Sequence, residues 1–373
     1  RVLIPLGNSR EEGILIGYEE LLEPPEFKLR NIVQVLDNEP WFTPDMMDTA
    51  RRLNEYYLFS YGDALRLFTV NKTLKSYEAP KEEWLVVTPA FSVEQFSERK
   101  KKQRELAKYL LEVGGASKAL LLAKGFSRMV IKQVSEAQGI TIESRFKATK
   151  TTFDELFTAE VNIPLTDAQQ AVYEPIQEAM NSHQHKTFLL HGVTGSGKTQ
   201  LDLKATAKCI SQDKTAIILV PEIILTDQIV RRFVETFGDE VVVFHSKLTV
   251  QQRNNNWERL RRKDSHIIIG ARSAVFAPAE DIGLIVVDEE HDTSYKQEDM
   301  VRYHARNVAL WRGEAHACPV ILGSATPSVI SYYKAKQGEY HLLELPHRIF
   351  EQPMPKVTIV DMKEEILHGN YSV

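Results

Sequence analysis

The chain has 373 residues, of which 43 % are hydrophobic and 26 % charged, and its formal charge is −5. This composition is typical of a globular protein with two or three domains, and the charge alone does not indicate a nucleic-acid partner. No apolar run has the length of a membrane span, no signal peptide precedes the first predicted strand, and Cys209 and Cys318 form no C-x-x-C pair, so we expect a cytoplasmic protein without a disulfide framework.

Residues 1–95 are predicted to form a small β-rich domain. Three apolar runs broken by Pro24-Pro25 read as strands: Arg1–Ile4, Gly13–Tyr18 and Asn31–Leu36. Thr43 is a candidate N-cap with Pro44 at the first helical position, which predicts a helix to about Phe59. A further strand is expected at Trp84–Thr88.

Residues 96–150 carry 13 basic and five acidic side chains in an otherwise acidic chain. The segment predicts a helix with Leu106, Leu110 and Leu111 on its apolar face and Gly114-Gly115 at its end. Two short helices, Ala116–Ala123 and Ser127–Ala137, and a strand at Ile140–Phe146 follow. Three helices and a terminal strand favour a winged helix, in which Arg128 and Lys132 on the recognition helix contact DNA. The alternative is a solvated helix face followed by a charged linker.

After a polar linker at 151–164, apolar strand-like runs alternate with helical stretches. This pattern predicts a doubly wound, parallel α/β domain over 165–373. The predicted strands of this domain are Phe188–His191, Ala216–Val220, Val241–Phe244, His266–Ile269, Ile282–Val287 and Pro319–Leu322.

The segment from Gly192 to Thr199 matches the phosphate-binding pattern G-x-x-x-x-G-K-[ST] at every fixed position. It follows a predicted strand and opens a predicted helix, as a P-loop requires. Lys198 is placed to reach the β- and γ-phosphates of ATP, and the Thr199 hydroxyl to hold Mg²⁺. The residues expected to bind ATP here are Gly192, Val193, Thr194, Gly195, Ser196, Gly197, Lys198 and Thr199.

Acidic residues follow the apolar strand 282–287 directly, in the sequence Asp288-Glu289-Glu290-His291. Asp288 is the candidate Mg²⁺ ligand and Glu289 the residue that polarises the attacking water. Taken alone, the run could be a surface acidic cluster at a strand end. Gly323 to Pro327 reads G-S-A-T-P after another strand, where the ligand edge of such a sheet lies. Its alternative interpretation is an ordinary strand-to-helix turn.

The combination of these motifs is characteristic of superfamily 2 helicases and translocases, which are P-loop, RecA-like proteins. Gln169, upstream of the phosphate loop, occupies the place of the adenine-reading glutamine of that superfamily; alone it would mark a helix start. The resemblance then narrows to the PriA family of primosomal replication-restart helicases, from about Leu165 to the C-terminus. The segments that carry it are 220–223, 269–278, 288–292, 294–297, 302–306 and 323–327, and Glu55-Tyr56-Tyr57 with Tyr61-Gly62-Asp63 resembles the N-terminal DNA-binding domain of the family more loosely.

The resemblance implies roles for further residues. Arg272 would contact a DNA phosphate, and an aromatic-rich loop would link single-strand binding to hydrolysis through Tyr295, Tyr303, His304 and Arg306. Without the resemblance, these aromatic residues would read as core packing. His291, Ser324 and Thr326 would couple the nucleotide state to DNA movement. Gln200 stands where the family usually carries Glu, and Val301 where some members carry an aromatic residue.

The resemblance also implies a fragment that lacks the second motor lobe, its arginine finger and the zinc-binding cysteines of the family. The whole protein would be an ATP- and Mg²⁺-dependent 3′-to-5′ DNA helicase acting on abandoned replication forks. It would bind forked and single-stranded DNA and, as partners, single-strand-binding protein and primosome-loading proteins. The fragment alone would be weakly active or inactive. The alternatives are a double-strand DNA translocase without unwinding, and a fork-binding module with a non-catalytic ATP site.

Overall fold

The computed structural model describes residues 1–20, 28–37, 40–69, 81–146, 164–222, 228–245, 248–299, 301–349 and 360–363. Most of the linker predicted at 151–164 lies outside these ranges. So does Ile223, the last residue of the segment 220–223 that carries part of the family resemblance. Among the described residues, none of the helices combines the length and the apolar character needed to cross a bilayer.

The N-terminal part combines a small antiparallel sheet with two helices. Strands β1 (Val2–Leu6), β2 (Ser9–Gly13) and β3 (Gln34–Val35) pair in the order β2-β1-β3. Helix α1 (Pro44–Tyr57) starts as predicted, with the Thr43 side chain accepting from the backbone N–H of Met46. It ends at Leu58, whose φ of 58° is left-handed, and α2 (Tyr61–Leu67) follows after a Ser60 cap. A small N-terminal β-rich region is therefore confirmed, although it is followed by a helical pair.

A second unit spans 81–146 and has a hydrophobic core of its own. Strand β4 (Lys81–Val87) is central between β5 (Gly115–Ser117) and β6 (Ile140–Phe146), and both pairings are antiparallel. Helices α3 (Lys101–Val113), α4 (Lys118–Ala123) and α5 (Arg128–Ser135) cover this sheet through Leu85, Leu106, Leu110, Leu121 and Val134. Because β4 pairs with both other strands, the unit includes residues upstream of the boundary expected at 96.

The third part is a seven-stranded parallel sheet in the order β15-β7-β14-β11-β8-β10-β9. Its strands are β7 (Thr187–Gly192), β8 (Thr215–Leu219), β9 (Val241–Phe244), β10 (Ile267–Gly270), β11 (Ile282–Val287), β14 (Val320–Ser324) and β15 (His341–Leu345). A short antiparallel pair, β12 (Lys296–Gln297) and β13 (Tyr303–His304), lies between β11 and β14 in sequence. The doubly wound RecA-like domain is confirmed, and β15 is an additional edge strand that the sequence patterns did not predict.

Helices cover both faces of this sheet. Helices α6 (Asp167–Asn181), α7 (Lys198–Ser211) and α8 (Gln228–Phe237) pack on one face, against side chains such as Phe188, Ile218 and Val286. The other face carries residues of α9 (Val250–Arg261) and α10 (Ala305–Ala315). Helix α11 (Val329–Lys336) lies beside β7 and β15. Since each strand sends alternate residues to opposite faces, nearly every strand residue is apolar.

The N-terminal helices complete the second face of the sheet. Met46, Leu53 and Leu65 are almost fully buried in the same core as Leu219, Ile285 and Val308. The Phe68 ring meets the Phe276 ring edge-on at 5.1 Å between centroids. Helices α1 and α2 are thus packed as a layer of the parallel α/β domain and are not confined to a separate N-terminal domain.

Three predicted elements differ in detail. Residues 14–18 of the run Gly13–Tyr18 are not a strand, and the Tyr18 side chain is almost wholly exposed. The helix expected from Ala116 begins at Lys118, since Ala116 and Ser117 pair with β4. Leu111, expected on the apolar face of α3, is exposed, whereas Leu106 and Leu110 are buried.

Candidate nucleotide-binding site and DNA-facing surfaces

Three neighbouring strands bring the predicted motifs to one rim of the sheet. Strand β14 pairs in parallel with β7 on one side and with β11 on the other. The phosphate loop leaves the end of β7, Asp288 follows β11 directly, and Ser324 ends β14. Because the carboxyl ends of parallel strands lie at one edge of the sheet, the phosphate loop, the acidic run and the S-A-T segment lie together. This edge is where ligands bind in such folds.

The phosphate loop is held tightly against its own strand. Gly195 and Gly197 have φ values of 82° and 87°, which side-chain-bearing residues rarely adopt. A Cβ at Gly197 would collide with the Gln169 amide, and one at Gly192 would lie 2.6 Å from the Ser196 hydroxyl. Lys198 begins α7, and its Nζ donates to the Gly192 carbonyl at 2.7 Å. The loop therefore has the glycine geometry and the helix N-terminus that a triphosphate requires.

The residues around this loop fit a magnesium-bound nucleotide. The donor set consists of a hydroxyl on Thr199, a carboxylate on Asp288 and the Lys198 ammonium, and these are the groups that hold Mg²⁺ and phosphate oxygens. The buried Ser196 hydroxyl has no hydrogen-bond partner among the described residues. An orphaned polar atom in the cradle is expected where a polar ligand completes the site.

Asp288 and Glu289 are electrostatically strained neighbours. Burial, and then the charge of Glu289, raise the pKa of Asp288 to about 6, although the backbone N–H of Glu289 and Lys198 oppose the shift. Glu289 has a φ of 43°, an unfavourable conformation for a residue with a side chain. Strain of this kind costs about 1–3 kcal/mol and persists where the surroundings enforce it, often at active sites.

A third carboxyl group, Asp202, lies beneath the site and was missed by the sequence reading. It is one helical turn after Lys198 on α7 and is 6 % exposed. Burial, and then the charge of Asp288, raise its pKa well above the ordinary value, while Lys198 opposes the shift. Its Oδ1 has no hydrogen-bond partner in the part of the chain that the structure describes. The available signal was a charged residue in register with Lys198 on a helix face that is otherwise buried.

His291 connects the acidic run to the S-A-T segment. Its Nδ1 is hydrogen-bonded to the Ser324 hydroxyl at 2.8 Å and lies 3.5 Å from a Glu289 carboxylate oxygen. The Thr326 hydroxyl is 3.5 Å from Nε2 of the same ring. The three residues expected to act in coupling are therefore brought into direct contact beside Glu289.

Glu290 anchors the same turn from the opposite side. Its carboxylate accepts from Arg306 Nη1 at 2.8 Å, from the Ser331 hydroxyl at 2.8 Å and from the backbone N–H of Ser328. Burial alone would raise the pKa of Glu290, but these donors outweigh it and the pKa is lowered. The pair fixes the acidic turn to the start of α10 and to the segment after β14.

The aromatic-rich loop differs from what the resemblance implied. Tyr295 is fully buried and donates to the Asp288 carbonyl at 2.6 Å, while Tyr303 is 5 % exposed and meets the Phe276 ring edge-on. Arg306 is committed to Glu290. In this conformation the two rings pack in the apolar layer under β11, where stacking on a DNA strand is not possible. The expected part of these residues in DNA binding stays a prediction. His304 is half-buried and caps α10, with its pKa lowered to about 4 by burial.

Gln169 and the chain after β15 close the loop on the remaining sides. The Gln169 amide nitrogen donates to the Ser196 carbonyl at 3.2 Å, and its oxygen accepts from the backbone N–H of Thr166. With both amide atoms so bonded, Gln169 supports the phosphate loop directly. The Ile349 N–H donates to the Gly195 carbonyl, and the Arg348 stem lies beside Gly195, a cation near the loop that no motif had indicated.

The residues expected to face DNA lie at two separate places. Arg128 and Lys132 are exposed on α5, as a recognition helix requires. Arg272 begins a short 3-10 helix and donates to the carbonyls of Ser294 and Lys296 at 3.0 and 2.8 Å. Arg272 thus holds the loop after the acidic run as well as lying near the sheet edge.

Two family models match the chain. Residues 166–334 match the DEAD/DEAH box helicase family, and residues 1–69 match the 3′ DNA-binding domain (3′BD) family. A solved structure of RecG bound to a three-way DNA junction aligns with a TM-score of 0.41 at 22 % identity, covering 56 % of this chain and 27 % of that one.

Curated relatives match along the whole chain. The replication restart protein PriA of Bacillus subtilis (strain 168) is 34 % identical over 100 % of this chain and 55 % of its own length. The PriA protein of Haemophilus influenzae is also 34 % identical, over 100 % of this chain and 51 % of its own length. The chain spans about half the length of these relatives. With a phosphate loop, an acidic run and an S-A-T segment on one sheet rim, and with full-length matches to these relatives, the chain belongs to the family of the replication restart protein PriA.

Proposed function

We propose that this chain supplies the DNA-binding units and the ATP-binding lobe of a helicase that moves 3′ to 5′ and remodels abandoned replication forks. The observation that carries the proposal is the meeting of Lys198, Asp288 and Glu289 at one rim of the sheet, with His291 joining them to Ser324. Mg²⁺, when bound, supplies charge neutralisation between the phosphates. Thr199 and Asp288 would hold the ion, and Glu289 would orient water.

We propose that residues 1–69 bind a free 3′ end and that α5 contacts duplex DNA through Arg128 and Lys132. The match of residues 1–69 to the 3′ DNA-binding domain family supports the first part, and the exposure of both cations supports the second. Single-strand-binding protein and primosome-loading proteins are proposed partners in the cytoplasm. Zinc would be held, in this proposal, by cysteines in the part of such a protein that this chain does not span. Among the described residues, no group of three or more His, Cys, Asp or Glu side chains could hold a metal ion.

We further propose that this chain alone hydrolyses ATP slowly. Phosphoryl transfer depends on a cation that stabilises the transition-state charge, often an arginine supplied by another lobe or protein. Relatives of about twice this length have room for such a lobe. A turnover equal to that of an intact DNA-stimulated helicase would contradict this part.

Two titrations test the proposal. A non-hydrolysable ATP analogue with Mg²⁺ should release heat on binding the wild-type chain and none on binding Lys198→Ala. Absence of heat with both proteins would support a fork-binding module with a non-catalytic ATP site.

Fluorescence anisotropy with forks that carry or lack a free 3′-hydroxyl should show tighter binding of the former. Strand displacement by the whole protein separates a helicase from a translocase that leaves the duplex closed.

A further inference from the structure

The hydroxyl of Tyr57 bridges the N-terminal helices to the motor domain. Tyr57 is the last residue of α1, and its oxygen accepts from the backbone N–H of His304 and from the Asn307 amide, both at 3.0 Å. These two donors lie at the first turn of α10. A single oxygen atom from the region matched to the 3′ DNA-binding domain family therefore positions the start of a motor-domain helix.

From this helix start, few contacts lead to the acidic run. His304 accepts from the backbone N–H of Arg306 at 3.3 Å. Arg306 pairs with Glu290 at 2.8 Å, and both side chains of this pair are almost fully buried. Glu290 follows Glu289 directly, and its N–H donates to the Gly323 carbonyl at 3.0 Å. A displacement of the α10 start would thus reach Glu289 and the S-A-T segment through packed polar contacts.

A buried ion pair holds α1 against α10 farther along that helix. Arg312, in the last turn of α10, is fully buried and donates to Asp45 on α1 at 2.6 and 2.9 Å. The same guanidinium also donates to the carbonyls of Val275, Ala277 and Ala279. Breaking such a buried pair is costly, so it fixes α1 to the last turn of α10, while the Tyr57 hydroxyl sets the position of the first turn.

We propose that Tyr57 is a positioning residue that couples DNA-end binding by the N-terminal region to nucleotide binding at the phosphate loop. This inference rests on the proposed function, because it requires both ligands to bind this chain. The partner chemistry is a single DNA strand with a free 3′-hydroxyl on one side and an ATP–Mg²⁺ complex on the other. The Tyr57 hydroxyl acts through His304 and Arg306 and touches neither ligand.

The test is the coupling factor between the two ligands. The dissociation constant of a non-hydrolysable ATP–Mg²⁺ analogue is measured with and without a saturating oligonucleotide that ends in a 3′-hydroxyl. For the wild-type chain we expect the two constants to differ by about fivefold or more, and the DNA affinity to change by the same factor on adding the analogue. In Tyr57→Phe the ratio should fall to within about twofold of unity, while each ligand alone binds as to the wild type.

Tyr61→Phe is the matched control. The Tyr61 hydroxyl also forms a hydrogen bond, but it donates to the Met47 carbonyl within the N-terminal helices, so its loss should leave the coupling factor unchanged. Asn307→Ala is the second variant, because it removes one of the two donors and keeps the tyrosine; it should lower the factor partially. A general loss of stability would weaken the binding of each ligand alone, whereas a loss of positioning lowers only the coupling factor. The single-ligand dissociation constants therefore separate a packing role from a positioning role.

Each outcome decides one question. If neither ligand binds the wild-type chain, the proposed function fails. If both bind and the wild-type factor is one, or if Tyr57→Phe retains the full wild-type factor, the role of Tyr57 is overturned. Loss of the factor in Tyr57→Phe but not in Tyr61→Phe establishes it.

Discussion

In the proposed function, Asp288 combines two requirements that oppose each other: it must be buried to close the site and charged to hold a cation. Burial and the adjacent Glu289 raise its pKa to about 6, so the neutral form stabilises the fold below the ordinary value of 3.8, and that stabilisation is lost as pH rises through about 6. Cation binding requires the charged form, which makes protons and Mg²⁺ competitors at this residue.

We therefore expect the affinity for an ATP–Mg²⁺ analogue to fall by up to about tenfold per pH unit below about pH 6. Calorimetric titrations of the wild type and of Asp288→Asn across this range check it, because the phosphate of the analogue titrates equally in both. The pH dependence should be shallower in the variant. Parallel curves for the two proteins would show that Asp288 does not carry the effect.

The buried Asp202 carboxyl leads to a second prediction, which concerns the pH dependence of the free energy of unfolding. Its folded pKa lies well above 3.8, so its contribution is favourable below that value and is lost as pH rises toward the folded pKa. As pH rises above 3.8, the free energy of unfolding of the wild type should fall by up to about 1.4 kcal/mol per pH unit from this group, until the folded pKa is reached. Urea unfolding of Asp202→Asn should give a smaller fall, and an equal fall would contradict the assignment.

At the scale of elements, the helix pair α1–α2 is held to the motor domain by a buried ion pair. Burial alone would raise the pKa of Asp45, but Arg312 and His316 outweigh it and hold the pKa at about 2. Its charged form therefore stabilises the fold above 3.8, and that stabilisation is lost as pH falls through about 2. The pair matters because Arg312 cannot shed its charge when its partner is removed.

Asp45→Asn is expected to lower the free energy of unfolding by about 3–5 kcal/mol, since it leaves a buried guanidinium without a counter-charge. The control is Asp48→Asn on the same helix. Its partner, Arg51, is 62 % exposed, so the change should be below about 1 kcal/mol. Urea denaturation at neutral pH measures both, and similar losses in the two variants would refute the importance of burial.

The same elements show what sequence can and cannot predict. The phosphate loop and the acidic run could be placed at one sheet edge because each follows an apolar strand and parallel strands share an edge. The packing of α1 could not, because an amphipathic helix shows that it has a buried face and not which surface covers it. The burial of Tyr295 and Tyr303 could not be predicted either, because aromatic rings suit both stacking on a DNA strand and packing in a core.

At the scale of the whole molecule, the hydrophobic cores divide the chain differently from the expected domains. The unit 81–146 has its own core, whereas α1 and α2 share one with the sheet. We expect the backbone amides of α1 and β11 to exchange hydrogen at similar, slow rates, and those of α3 to follow a separate rate with its own denaturant dependence. Hydrogen exchange by mass spectrometry at low urea measures this. If α1 exchanges with α3 and not with β11, the shared core does not act as one cooperative unit.

The double position of α1 and α2 constrains how such a protein can be rebuilt. Grafting residues 1–69 of a distant relative onto this α/β domain would replace one layer of the domain itself, and Arg312 would meet a foreign helix in place of Asp45. The unit 81–146 has a hydrophobic core of its own and should be easier to exchange. A chimera is therefore expected to tolerate a new 81–146 unit more readily than a new amino-terminal region.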